Sequence, residues 1–256
     1  MSISTLSRLY KLYKPPSFTN TTSTSTHPKP LRFGILGAAA IAPYALISPS
    51  KTHPDVVIYA VAARNLEKAK KAAVEWGIDL DGVDDEGKKK GKVFGGGDGL
   101  AYEELIKDEG VDVVYNAVSS ISVFGLLLTN LIFYLLNYAQ LPNALHYKYT
   151  MLALNAGKHV LNEKPSADTA DETKEMNALA KRKGVVLLDA YHYRFHPALR
   201  RVKEIVDADI GGVKKMEVRM ILGKGAIKDG DIRFDYDLGG GALMDLGCKS
   251  FSLIRR

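Results

Sequence analysis

Cysteine is nearly missing from this chain. There is one, Cys248, in 256 residues, which excludes an internal disulfide framework and fits a reducing compartment. Metal-ligand clustering is missing as well. His192 and His196 stand four residues apart, but no third ligand is evident and Pro197 opens the next helix only after both, so no metal site is expected. Acids are absent from residues 1–30, which hold Arg8, Lys11, Lys14 and Lys29, and from residues 249–256, which hold Lys249, Arg255 and Arg256. Those two ends carry the excess behind the formal net charge of +6. The body between them is near neutral, which removes the electrostatic case for a nucleic-acid partner. Charge of either sign is absent from residues 113–147.

What is present begins with the tail. Residues 1–30 are rich in Ser and Thr and place Leu6, Leu9 and Tyr13 at roughly helical spacing, a composition that resembles an organelle transit peptide. Pro15, Pro16, Pro28 and Pro30 forbid a long helix and the apolar run of a secretory signal is missing, so a disordered tail is an equal alternative. A cytoplasmic location is expected, with a mitochondrial address left open by this stretch.

Order is expected from Leu31. Arg32-Phe33-Gly34-Ile35-Leu36-Gly37 reads as a strand entering a tight turn. Ala38-Ala39-Ala40-Ile41-Ala42 reads as small residues opening a helix whose backbone N–H groups approach a pyrophosphate. The full G-x-G-x-x-G fingerprint is absent here: Gly37, Ala39 and Ala42 give G-x-A-x-x-A. Residues 56–62 form a second apolar strand, and Asn65 caps a helix through Trp76 that stops at Gly77. Where an acid would hold a ribose 2′-hydroxyl stands Arg64, with Lys68 one turn on. Cations there suit a 2′-phosphate, hence NADP, with NAD as the alternative; a plain surface charge is the other reading of Arg64. Residues 79–99, dense in Gly, Asp and Lys, read as a solvated loop, with Gly95-Gly96-Gly97 a turn lacking the helix a phosphate loop needs.

A short helix near 102–107 and a strand over 111–116 follow. Lys158-His159-Val160-Leu161-Asn162-Glu163-Lys164-Pro165 reads as a buried parallel strand whose end opens into a crevice, with Lys164 facing the ligand. Thr169-Ala170-Asp171-Glu172 is a capping box for a helix to about Lys183, stopped by Gly184, and residues 185–190 form another buried strand. Pro197 starts an amphipathic helix with Leu199, Val202, Ile205 and Val206 on one face. Residues 213–222 alternate, with Val213, Met216, Val218, Met220 and Leu222 marking mainly one face, as the first strand of an antiparallel sheet does.

Four pieces in this order resemble the Gfo/Idh/MocA family of NADP- or NAD-dependent oxidoreductases, nearest its dihydrodiol and D-xylose dehydrogenase branch. They are Gly34-Ile35-Leu36-Gly37-Ala38-Ala39-Ala40-Ile41-Ala42; Val113-Val114-Tyr115-Asn116 followed by Leu141-Pro142-Asn143-Ala144-Leu145-His146; Glu163-Lys164-Pro165; and Gly239-Gly240-Gly241-Ala242-Leu243-Met244-Asp245-Leu246-Gly247. The resemblance spans roughly residues 31–248. It implies a nucleotide-binding domain followed by a larger open-faced antiparallel sheet that closes the active site. It also implies cofactor contacts from Gly34, Gly37, Ala38, Ala39, Ile41, Ala42, Arg64, Lys68, Asn116, Glu163 and Lys164. Lys164 would bind the nicotinamide end and position the substrate hydroxyl, with His146, His192, Arg194 and Asp245 near the substrate. The family's proton donor, commonly a tyrosine or histidine just after the Gly-Cys that closes the Gly-Gly-Gly-Ala-Leu helix, falls on Lys249, a doubtful substitute.

One segment departs from the family pattern. Residues 121–139 are mostly apolar and near the length of a membrane span. A span there would put the strands on either side of it, both parts of one sheet, on opposite faces of a bilayer, so no membrane partner is expected. Instead, residues 118–140 read as a translated intron: Val118-Ser119 can be encoded GTA AGT and Gln140 CAG, and their removal keeps frame and restores the family pattern. Cys248-Lys249-Ser250 can hide the same donor sequence, making 249–256 a tail unlike the family.

The expected architecture is therefore α/β. A Rossmann-type parallel-sheet domain covers 31–190, interrupted by 118–140, and an incomplete α+β substrate domain begins over 191–256. The expected activity is hydride transfer between NADP and a secondary alcohol of a sugar or cyclic diol, with homo-oligomers common in the family. The alternatives are a nucleotide-binding chain without catalysis and a protein anchored in a membrane through 121–139.

Overall fold

The computed structural model describes residues 29–255 apart from 40, 84–86, 88, 98, 118–142, 224, 226, 228–229 and 238. The expectations for the tail before residue 29 and for the apolar segment 118–140 lie outside the described residues. No helix among the described residues is long and apolar enough to cross a membrane.

Runs of β-branched and apolar residues form strands where they are expected, though the strand expected to be buried over 185–190 is short, lies at the sheet edge and buries none of its residues. β1 (Leu31–Leu36), β2 (Val56–Ala63), β4 (Val113–Asn116), β5 (His159–Asn162) and β6 (Leu187–Asp189) join β3 (Lys92–Gly95) in one sheet of order β3-β2-β1-β4-β5-β6. Every pairing is parallel. The order reverses between β1 and β4, the doubly wound arrangement with a crevice at its switch point.

Helices cover both faces. On one side α1, a wide turn Pro43–Ile47 running into Ser48–Ser50, and α2 (Leu66–Trp76) pack Leu46, Ile47, Ala73 and Trp76 against Ile35, Val61 and Tyr115. On the other, α3 (Leu100–Lys107), α4 (His146–Asn155) and α5 (Ala170–Lys183) bury Leu105, Leu154 and Met176 against Leu36, Val114 and Val160. The caps do what their residues allow. Asn65 accepts from Lys68 N–H, Thr169 and Glu172 form the reciprocal capping box, and Gly77 and Gly184 end their helices with positive φ.

Three expectations are corrected. The loop 79–99 contains β3, and its Gly-rich end does lead into a helix, α3, capped by Gly99. β3 pairs on one side only and all four of its residues are half-buried, so it lacks the continuous apolar run by which central parallel strands are recognised. Residues 213–222 form no strand. No other strand among the described residues lies beside them, and alternation alone does not hold a strand without ladder partners. The helix from Pro197, α6 (Pro197–Ile205), forms as expected and continues as a wider turn, Val206–Ile210, but neither segment buries a residue. After an extended stretch the chain returns to the crevice edge through Leu243–Gly247 and α7 (Cys248–Ile254), with Asn143 Nδ2 donating to Gly239 O at 2.8 Å.

Candidate active site

β1, β4 and β5 end side by side at the switch point, in the register Leu36, Asn116 and Asn162. Beyond β1, Gly37 turns with φ +90° while its N–H donates to Ala62 O at 2.8 Å. Ala39 and Ala42 are buried just past the turn, and Ala38 and Ile41 are half-buried. Gly34 is placed differently. It sits inside β1, where a Cβ would lie 2.6 Å from Leu105 Cδ2 and 3.1 Å from both γ-methyls of Val111. Its requirement for glycine comes from packing under α3, three residues short of the turn.

Lys164 follows β5 and is 5% exposed. Its ammonium donates to Asp245 Oδ1 at 2.5 Å and to Asp245 O at 2.9 Å. An ammonium has three N–H bonds, so one remains for a ligand. Asp245 Oδ2 lies 3.3 Å from Arg233 Nε, and Arg233 Nη1 donates to Asp231 Oδ1 at 2.8 Å. Two cations and two carboxylates thus neutralise one another away from water, the condition under which buried charge is tolerated. Arg233 Nη2 is buried with no partner among the described residues.

The neighbouring carboxylate is held from the other side. Glu163 Oε1 accepts from Tyr115 OH at 2.7 Å, and Oε2 from Lys164 N–H at 3.3 Å. Burial first, then the Glu163 charge, pushes the Tyr115 phenol well up, so it stays a donor.

Behind Lys164 lies a polar layer. His146 is fully buried, with Nδ1 2.5 Å from Pro165 O. Burial pushes this imidazole down to about 4. It is therefore neutral, and because a carbonyl only accepts, Nδ1 carries the hydrogen and Nε2 is left as an acceptor. Nε2 has no partner among the described residues. Asn116, fully buried, spends its Nδ2 on His146 O, Thr150 Oγ1 and Asn162 Oδ1, each at 3.2 Å. Its hydrogen bonds join the ends of β4, β5 and α4 and point into the protein.

Lys249, half-buried in the first turn of α7, lies close enough to Lys164, Asp245 and Glu163 to feel their charges. Burial, then the Lys164 charge, holds its amine below the usual lysine range. His192 and Arg194 are both exposed on the turn His192–Phe195, beyond β6, and among the described residues neither is hydrogen-bonded or ion-paired to Lys164. Arg194 instead favours ionisation of Asp189, whose carboxyl is raised overall by burial. Just before this turn, Tyr191 meets Tyr193 edge to face at 6.0 Å, and burial pushes its phenol up. At the far end of the crevice Arg64 leaves β2 exposed, and Lys68 is half-buried one turn along α2.

Sequence reasoning missed Arg233, Asp231 and Tyr115. The Asp231-x-Arg233 pair was a signal for the first two, and for Tyr115 the signal was a phenol in a strand buried on both faces, since a buried hydroxyl needs a partner.

Residues 31–191 match the Gfo/Idh/MocA oxidoreductase family, described as an NAD-binding Rossmann fold. The chain belongs to this family. Among Gfo/Idh/MocA relatives it is 32% identical over 227 residues to D-xylose 1-dehydrogenase (NADP(+)) 2 of Haloferax volcanii, covering 88% of this chain and 56% of that one. It is 31% identical over 225 residues to trans-1,2-dihydrobenzene-1,2-diol dehydrogenase of Mus musculus, covering 86% of this chain and 55% of that one. A crystal structure of a 3-ketoreductase from Actinomadura kijaniata with NADP and TDP-benzene superposes with TM-score 0.61 at 28% identity, covering 86% and 55% of the two chains. The chain spans about half the length of the relatives it matches.

Proposed function

We propose that this chain carries the nucleotide site and one wall of the substrate cleft of an NADP-dependent oxidoreductase acting on a secondary alcohol of a sugar or cyclic diol. The observation that carries the reading is Lys164: a buried ammonium at the switch point, fixed by Asp245 on two sides, with one N–H left for a substrate oxygen. The fit to a dinucleotide rests on the Gly37 turn with its small buried neighbours, and on Arg64 and Lys68 where β2 ends without a carboxylate. NADP, when bound, exchanges a hydride with the substrate carbon. Lys164 holds that carbon's oxygen and stabilises charge developing on it, while Asp245 and Arg233 hold Lys164 in place. Glu163, pinned by Tyr115, keeps the strand end rigid.

A second reading, nucleotide binding without turnover, is favoured by Lys249 at the position where the resemblance expects a tyrosine or histidine. Reduction of NADP by D-xylose or a trans-dihydrodiol separates the two. Turnover that falls by about a hundredfold or more in K164M, within the usual range for loss of a group assisting proton transfer, supports the enzyme. NADPH binding with no turnover on either substrate class supports the second reading, and failure to bind NADPH removes both.

A further inference from the structure

Arg233 enters the site on the short turn Ile232–Phe234 and is 8% exposed. Its backbone is fastened to the run that carries Asp245: Gly241 N–H donates to Arg233 O at 2.7 Å, and Asp245 N–H to Gly241 O at 2.9 Å. The side chain is fastened too. Asp231 Oδ1 accepts from Arg233 N–H at 3.0 Å and from Nη1 at 2.8 Å, while Nε lies 3.3 Å from Asp245 Oδ2. A guanidinium held at two of its three nitrogens is ordered before any ligand arrives, so binding to it costs little further side-chain entropy.

The third nitrogen, Nη2, is buried with no partner among the described residues. A charged donor left unsatisfied away from water is costly, which points to an acceptor that arrives with a ligand. Its place follows from the planar fork. Nε and Nη2 share one edge of a guanidinium, the edge that can grip both oxygens of a carboxylate. Asp245 offers that edge only Oδ2, because Oδ1 accepts from Lys164 Nζ at 2.5 Å. One Nη2 hydrogen is therefore left over on the Asp245 side of the fork. Lys164, on the other oxygen of the same carboxylate, also keeps one N–H. Two spare donors gathered around one carboxylate suit two oxygens on neighbouring atoms of one ligand. Asp231 and Asp245 already balance the charges of Arg233 and Lys164, and Glu163 adds a further carboxylate whose Oε2 accepts from Lys164 N–H at 3.3 Å. The oxygens that fit are thus uncharged hydroxyls, not those of an acid or a phosphate.

We propose that Arg233 is a specificity-determining residue, donating from Nη2 to a hydroxyl on the carbon next to the one that exchanges the hydride. This rests on the reading of Lys164 given under the proposed function. The substrate is then a vicinal diol, or a hemiacetal with a neighbouring hydroxyl, and a lone secondary alcohol is a poor substitute. The test compares two pairs with NADP on the full chain: D-xylose with 2-deoxy-D-xylose, and trans-cyclohexane-1,2-diol with cyclohexanol. The member with the second hydroxyl is expected to have kcat/KM higher by about thirtyfold, the worth of a hydrogen bond from a charged donor. R233K keeps a cation beside Asp245 but has no second arm. It should slow both members, because Arg233 also holds Asp245, and should slow the diol member about thirtyfold more, so the preference collapses. D231N/R233M removes the two charges together, which avoids stranding a buried carboxylate, and should lose the same preference; NADPH binding shows that each variant is folded. If the unaltered chain handles both members of each pair alike, or prefers the diol member and keeps that preference in both variants, Arg233 does not read the second hydroxyl, and the proposed function stands without it. Where nothing turns over, the same pairs are compared by saturation-transfer NMR on the NADPH-loaded chain, with the same preference and the same collapse expected in binding. A chain that binds neither pair overturns the proposed function and the role of Arg233 together.

Discussion

A single imidazole ties the candidate site to pH. His146 is neutral in the fold, pushed down to about 4 by burial, whereas an unfolded chain protonates it near 6.5. Above the unfolded value both states are neutral and the folded state suffers no penalty. As pH falls from about 6.5 towards 4 the unfolded state gains a proton that the folded state refuses, so stability is lost across that window. The expected loss is about 2 to 3 kcal/mol by pH 4.5. Carboxylates titrate there too, so the comparison is between the wild type and H146Q in urea at several pH values. The stability difference between the two proteins should shrink by that amount from pH 7.5 to 4.5. A constant difference would mean that the ring titrates in the fold as it does in the unfolded chain, and a difference that moves in the wild type's favour towards low pH would mean that the fold holds it protonated. At this scale the sequence was partly legible. Lys164 and Asp245 stood out through the resemblance and do meet. His192 and Arg194 do not join them, because a turn of alternating polar and aromatic residues gives no sign of which side chains face inward.

Elements were easiest to read where one cause acted alone. β1, β2, α2 and α5 follow from apolar runs, two side-chain caps and two left-handed glycines. β3 escaped because an edge strand need not be apolar, and 213–222 misled because alternation says nothing about whether a neighbour exists. Gly34 and Gly37 show how two glycines in one motif divide between packing and conformation. In G34A the new methyl meets the end of a flexible leucine but also both branches of Val111, which is 1% exposed and stiff at χ1. Overpacking of this kind costs about 1 to 3 kcal/mol, and because the nucleotide turn lies further on, NADPH affinity should hold at temperatures where the variant is folded. G37A puts an alanine at φ +90° in the turn itself, so it should lose affinity as well as stability. Urea unfolding with NADPH titration checks both. Weakened NADPH binding in G34A at unchanged stability would return Gly34 to the cofactor loop.

At the scale of the whole molecule the question is what joins β4 to α4. Asn116, the last residue of β4, donates to His146 O at 3.2 Å, so the two sides of residues 118–142 are fastened to each other in the floor of the site. A single membrane traverse by 121–139 would carry those sides to opposite faces of a bilayer, about 30 Å apart, and break the layer of Asn116, Thr150 and Asn162 on which the strand ends rest. A direct connection through Leu141-Pro142 asks for no such separation. Compared with it, a connection about ten times longer costs on the order of 2 kcal/mol in closure entropy unless its own packing offsets this. We therefore expect a chain lacking 118–140 to unfold at higher urea, by about that free energy, and to bind NADPH at least as tightly. Transcripts spanning codons 110–150 should include a form without those codons. A deletion variant that unfolds more easily would show that the segment contributes packing of its own, and transcripts that always retain it would remove the intron reading.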